Sequence, residues 1–348
     1  LDEEGYSTEL IATEAINIIK NKDQNRPLFL YVAFNAPHTP IEAPIELINE
    51  FTDIENEKDR VYAANVSALD TEIGRIIKAI EQEGILEETI ILFFSDNGPV
   101  FDIDPIAQVI APNLINAKGS TAGLRGSKTS TFEGGKRVPA VIWWKGVIEN
   151  AKSDQFFFVQ DILPTLLRAS NVNVAETIKF DGKDKWLNLL ENKIVPPKNA
   201  FIGARLIADE RALFNGKWKL RWTKPQLIPV SASYSLFDIL EDPYEKNDLS
   251  EEHPQVVDAM KKTLTSFIER DVVGDMNPAH AYLHGDDRQG GVALGSPWLD
   301  GDYELHEPPN AISSFFITIW IVIQAFKYYL IALTLLIFAL IYSFRKLK

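Results

Sequence analysis

Three short apolar runs, separated by segments of helical periodicity, constrain this chain more than any other feature of its sequence. Leu28 to Phe34 is apolar throughout and lies between Pro27 and Asn35, and Thr89 to Phe94 and Val138 to Trp144 have the same character. Runs of this length without alternation suit strands buried on both faces. Tyr62, Val66, Leu69, Ile73, Ile76 and Ile80 recur every three or four residues, the spacing of one helix face, and Gly84 is placed to end that helix. Ile11, Ala15, Ile18 and Ile19 follow similar spacing behind Ser7 or Thr8, either of which can cap a helix. Asp161 to Ala169 predicts a short helix behind the third run. Strands alternating with helices predict an α/β fold, an open mixed or parallel sheet with helices on both faces.

After about residue 175 the pattern changes. Arg211 to Phe214 and Lys217 to Trp222 flank Asn215-Gly216, a strong hairpin signal, and Tyr234 to Ile239 adds a further strand. These predict a small antiparallel sheet, followed by a helix that Pro254 opens and Val257, Met260, Leu264 and Phe267 line. Residues 271–310 are rich in Gly, Pro and Asp and read as a linker. From Ala311 to Phe344 the chain is almost wholly apolar, broken only by Gln324 and Lys327, and Arg345, Lys346 and Lys348 follow. That length predicts a C-terminal transmembrane helix, either with Lys327 snorkelling to an interface and Tyr328 to Phe344 forming the main span, or as one long tilted helix. By the positive-inside rule the basic tail is cytoplasmic, so residues 1–310 belong outside or in a lumen, on a single-pass membrane protein. The expected layout is an α/β core over 1–175, an antiparallel subdomain over 176–270, a linker over 271–310, a span over 311–344 and a tail over 345–348.

The formal net charge of -14 excludes a nucleic-acid partner, because a phosphate backbone needs clustered Lys and Arg. No cysteine is present, which excludes disulfides and thiolate zinc sites within these residues. His280 and His284 have helical ligand spacing, but Pro278 and Gly285 make that stretch a loop. Asn65-Val66-Ser67 matches a glycosylation acceptor, yet it falls inside the predicted helix, where it is expected to go unused.

In open α/β sheets, ligands bind beyond the carboxyl ends of the strands. The first apolar run ends in Asn35-Ala36-Pro37-His38-Thr39-Pro40, which carries an imidazole on a proline-stiffened turn. The second ends in Ser95-Asp96-Asn97-Gly98, a carboxylate and an amide oxygen side by side, both hard ligands for calcium or magnesium. Taken singly, each reads more simply as a turn. Their combination with Gly123-Leu124-Arg125-Gly126-Ser127-Lys128 and Phe132-Glu133-Gly134-Gly135-Lys136-Arg137 changes that reading. Those stretches put cations on a glycine-bearing loop that can meet an anionic oxygen.

With these motifs the chain resembles the sulfatase family of the alkaline phosphatase superfamily, and is most similar to the arylsulfatase B type. Asp161-Ile162-Leu163-Pro164-Thr165, Gly216-Lys217-Trp218-Lys219-Leu220 and Leu236-Phe237-Asp238 with Asp242-Pro243 extend the likeness from Tyr6 to Ile268. The resemblance implies a calcium-dependent sulfuric ester hydrolase acting on an aryl sulfate or sulfated glycan, with Asp96 and Asn97 as calcium ligands. It implies that His38 and Lys128 contact the sulfate and its bridging oxygen, and that Arg125 and Glu133 brace the loop. The family's nucleophile is a formylglycine made within a Cys/Ser-x-Pro/Ala-x-Arg motif, and neither that motif nor the family's paired aspartates occurs here. The expectation is therefore a fragment, inactive alone, whose formylglycine belongs to a missing N-terminal part, and whose cut sheet exposes an edge and folds poorly. Two alternatives remain open: a non-catalytic sulfatase-like binding module, and a phosphodiesterase or phosphonate hydrolase of the same superfamily.

Overall fold

The computed structural model describes residues 4–100, 119–175, 177–205, 208–225 and 231–270. The chain opens with helix α1 (Ser7–Lys20), a short helix α2 (Ile45–Ile48) and the long helix α3 (Glu57–Gln82). α1 packs on α3 through buried Ala12, Ala15 and Ile19 on one side and Ala64, Ala68 and Leu69 on the other. These are largely small side chains, which let the two helices approach closely. The Asn56 side chain caps α3 by accepting from the amides of Lys58 and Asp59 at 3.0 and 3.2 Å. Gly84, at φ +71°, turns the chain away just beyond its end.

Strand β1 (Ile91–Phe94) follows, and pairs antiparallel with β2 (Ala140–Trp143), Ile91 facing Trp143 and Phe94 facing Ala140. Between them lies the one-turn helix α4 (Glu133–Lys136). α5 (Ile162–Ala169) and α6 (Trp186–Leu190) come next. A four-stranded antiparallel meander then runs β3 (Lys198–Arg205), β4 (Ala208–Asn215), β5 (Trp218–Pro225) and β6 (Ser233–Asp238). Helix α7 (Pro254–Arg270) lies over it. Leu213, Leu220, Leu236, Met260 and Leu264 form the buried core between sheet and helix, and Phe201 stacks on Phe267 at 5.2 Å.

The α/β architecture, the Asn215-Gly216 hairpin and the closing helix agree with the sequence reading. Two expectations need correction. The paired strands among the described residues run antiparallel, because the chain between Phe94 and Ala140 returns to the same end of the ladder. Leu28 to Phe34 is extended but joins no ladder, and Leu28, Phe29 and Tyr31 are 42%, 80% and 75% exposed. An apolar run becomes a buried strand only if neighbours take its amides and carbonyls and cover both faces, and no described segment does so here. Strand β3, which lacks clear alternation, was not foreseen. Asn65 is buried, with its amide donating to the Glu42 carbonyl at 2.5 Å, which accords with an unused acceptor. No helix among the described residues is long and apolar enough to cross a membrane. The predicted span at 311–344, the linker and residues 101–118 lie outside the described residues.

Candidate functional site

The two stretches expected to carry a metal ligand pair and a cation are stitched together by backbone hydrogen bonds. At the end of β1 the Ser95 amide donates to the Pro139 carbonyl at 3.4 Å, and Ser95 Oγ donates to the Asn97 carbonyl at 3.0 Å. The Gly98 amide donates to the Gly135 carbonyl at 3.0 Å, and the Lys128 amide to the Pro99 carbonyl at 2.9 Å. Asp96, Asn97 and Lys128 therefore belong to one assembly. Its closeness requires glycine: a Cβ on Gly98 would stand 1.9 Å from the Gly134 oxygen, and one on Gly134 would stand 2.4 Å from the Gly126 oxygen.

His38 sits on a separate loop, exposed, with both flanking proline bonds cis. Its Nδ1 lies 2.7 Å from the Thr39 carbonyl, which places the ring proton on Nδ1 and leaves Nε2 free. Among the described residues no hydrogen bond or ion pair links His38 to Asp96, Asn97 or Lys128. Asp96 is exposed and Asn97 half-buried, its Nδ2 donating to the Gly98 carbonyl at 3.0 Å. Together they offer one carboxylate and one amide oxygen, whereas calcium takes about six to eight oxygens. No group of three or more His, Asp or Glu able to hold a metal occurs among the described residues. The pair does not amount to a calcium site on its own.

Behind the Lys128 loop lies a buried ionic network that the sequence reading foresaw only at Arg125 and Glu133. Lys219 of β5 is wholly buried, with Glu133 Oε1 at 2.7 Å and Glu245 Oε1 at 2.9 Å. Glu245 Oε2 accepts from the Glu133 amide at 2.7 Å, and the Glu245 carbonyl accepts from Arg125 Nη1 at 2.8 Å. Glu133 Oε2 accepts from Arg137 Nε at 2.7 Å. Alongside, Glu210 Oε2 accepts from the Thr131 amide at 2.8 Å, from Thr131 Oγ1 at 2.9 Å and from Arg221 Nη2 at 2.8 Å. The guanidinium of Arg221 lies 3.3 Å from the centre of the Phe132 ring, and that of Arg125 lies 4.2 Å from it. The available signal was alternation, since Lys219 and Arg221 are two apart on a strand and so share a face. Lys136, one of the cations expected on this loop, feels the Asp96 and Glu210 carboxylates, and burial pulls its pKa down despite them.

Burial alone would raise the Glu133 carboxyl, but Lys219 and Arg137 outweigh it and hold the group below the usual range. Glu210 behaves alike, its burial outweighed by Arg221 and Thr131. For Glu245 burial wins over Lys219, and its pKa is raised. A carboxyl with a lowered folded pKa adds stability above its unfolded value and loses it as pH falls through the folded one. Glu245 has the opposite sign: its contribution is present below the unfolded value and fades as pH rises through its raised one. Asp238 joins the lowered carboxyls, its desolvation outweighed by the Lys217 hydrogen bond and backbone amides, so with three lowered groups against one the melting temperature is expected to drop below about pH 4. Thermal melts followed by circular dichroism test this, and a midpoint that stays flat from about pH 6 to about pH 3 contradicts it.

Comparison with known proteins points one way. The Sulfatase family model matches residues 1–172. Arylsulfatase J of Mus musculus is 28% identical over 305 residues, which cover 75% of this chain and 48% of that protein. An N-acetylgalactosamine-6-O-sulfatase of Bacteroides thetaiotaomicron is 27% identical over 263 residues, 73% of this chain and 49% of that one. The solved structure of Ps i-CgsB in complex with k-i-k-neocarrahexaose superposes with a TM-score of 0.63 at 27% identity, over 77% of this chain and 56% of that one. The chain thus spans about half the length of the curated relatives it matches. By the family match, by these relatives and by the shared architecture, the chain belongs to the sulfatase family.

Proposed function

We propose that this chain supplies part of the active site of a sulfuric ester hydrolase, with a sulfated glycan as its substrate class and aryl sulfates as accessible test substrates. The observation that carries the reading is the backbone stitching that sets the Asp96–Asn97 turn against the Lys128 loop. In this reading Lys128 binds a sulfate oxygen as a compact point charge. His38, once protonated, offers Nε2 as the proton donor to the leaving oxygen. Asp96 and Asn97 contribute two oxygens toward a calcium ion whose other ligands are not among the described residues. The names of the relatives, which include an N-acetylgalactosamine-6-O-sulfatase and a protein solved with neocarrahexaose, favour a glycan over a simple aryl ester. The apolar run at 311–344 extends the proposal to a membrane anchor with the catalytic part on the outer or lumenal side.

A second reading, sulfate-ester binding without turnover, is favoured by one observation: these 348 residues hold no Cys/Ser-x-Pro/Ala-x-Arg motif. Sulfate release by the full-length protein from a chromogenic aryl sulfate and from sulfated oligosaccharides, with and without a calcium chelator, separates the two. Turnover is expected, with Lys128→Ala lowering kcat/KM on the order of 100-fold through loss of a charge-stabilising donor. No release from any ester, or a Lys128→Ala variant as active as the parent, overturns the hydrolase reading.

A further inference from the structure

We infer that Lys219 and Arg221 of β5 are positioning residues for Lys128, which makes the antiparallel sheet part of the proposed hydrolytic site. This inference rests on the hydrolase reading above. Both cations project from one face of an inner strand toward residues 131–133, which adjoin the loop that carries Lys128, and of the two only Arg221 also pairs with a carboxylate of the sheet, Glu210. Lys219 takes Glu133 and Glu245 as counter-charges, and the latter holds the Glu133 amide at 2.7 Å. Arg221 fixes Glu210, whose carboxylate grips the Thr131 amide, and covers the Phe132 ring. Residues 131–133 are therefore anchored through buried charge to β4, β5 and Glu245.

Those anchors reach Lys128 without slack. The Ser130 amide donates to the Ser127 carbonyl at 3.1 Å, and the Gly134 amide to the Arg125 carbonyl at 2.7 Å. A Cβ on Gly135 would stand 2.4 Å from the oxygens of both Ser127 and Ser130, so no space separates the anchored stretch from the one that carries Lys128. Lys128 is in turn tied through its amide to Pro99, beside the Asp96–Asn97 turn. A displacement near 1 Å of a group that meets the reacting atoms lowers turnover on the order of 100-fold. The network thus sets where the ammonium meets the sulfate.

The test is a double-mutant cycle in the full protein. Lys219→Met and Glu210→Gln are each placed in the parent and in a Lys128→Ala background. Aryl sulfate turnover, and calorimetric binding of inorganic sulfate, are measured well below each variant's melting temperature. The expected result for Lys219→Met is a loss on the order of 100-fold in kcat/KM in the parent and almost none beyond that of Lys128→Ala, because both act on one group. Sulfate binding should weaken in the same non-additive way, which a generally loosened fold would not produce. Equal losses in both backgrounds, or a folded Lys219→Met protein with parental activity, overturn the inference. Should Lys219→Met fail to fold, Glu210→Gln, which keeps the side-chain volume while weakening the grip on Thr131, carries the same comparison. A parent protein that releases no sulfate sinks the hydrolase reading and this inference with it, whereas an active parent with additive losses sinks the inference alone.

Discussion

Gly98→Ala is expected to abolish sulfate ester turnover and to cost about 3 kcal/mol of folding stability. The added methyl would stand 1.9 Å from the Gly134 oxygen, 2.9 Å from its carbonyl carbon and 3.0 Å from the Gly135 Cα. All three are backbone atoms, so no side-chain rotation relieves the clash. Either the Asp96–Asn97 turn retreats or the Gly134–Gly135 segment does, and both moves break the 3.0 Å hydrogen bond from Gly98 to Gly135. That bond helps hold the Asp96–Asn97 turn against the lysine loop, so geometry and stability fail together. Denaturant unfolding and aryl sulfate hydrolysis measure the two effects. Gly74, inside α3 with nothing within 4 Å of its Cβ position, is the matched control, and there alanine should stabilise by about 0.5–1 kcal/mol. A Gly98→Ala protein that unfolds at the parental midpoint would refute the close-approach account.

Glu245→Ala is expected to destabilise the protein by about 3–5 kcal/mol, the range for a buried ion pair that loses one partner. Lys219 is wholly buried and shares its charge between Glu133 and Glu245, and truncation leaves it with one counter-ion and an emptied space beside it. The Glu133 amide also loses its acceptor, at the start of the one-turn helix α4. Glu245 itself sits at φ +55°, a left-handed conformation that side-chain-bearing residues adopt only when their surroundings compel it. Glu245→Gln should be far milder, since burial already disfavours the charged carboxylate there and the amide keeps an acceptor. Equilibrium denaturation of both variants decides the matter. A Glu245→Ala midpoint equal to that of Glu245→Gln would show that the charge lost in both accounts for the effect, and would overturn the expectation that the retained acceptor and side-chain volume protect the Gln variant.

Much of the fold was legible because local signals and tertiary structure agree. The α3 pattern, the Gly84 stop, the Asn215-Gly216 turn and the Pro254 helix start each appear where spacing and backbone chemistry put them. Leu28 to Phe34 shows the limit of such reading. Apolar text states what a segment would bury and says nothing about whether a neighbour is there to bury it. The short motifs around Asp96, Asn97 and Lys128 were legible as candidates, whereas their juxtaposition, and the separate placement of His38, emerged from contacts between carbonyls and amides that no motif encodes. The pairing of Lys219, Glu210 and Glu245 with the loop was not legible, for a related reason. Their partners lie 86, 79 and 112 residues away, and a charged residue in a strand or turn looks solvated until its counter-charge is found.

The ties between residues 125–137 and 210–245 also bear on inheritance. A crossover between relatives anywhere from 138 to 209 would join one parent's Thr131 and Glu133 to the other parent's Glu210, Lys219 and Glu245, so chimaeras made there must match at Thr131, Glu133, Glu210, Lys219, Arg221 and Glu245 together. Substitutions at those positions should then travel as a set through descendants, even though the chain places them far apart.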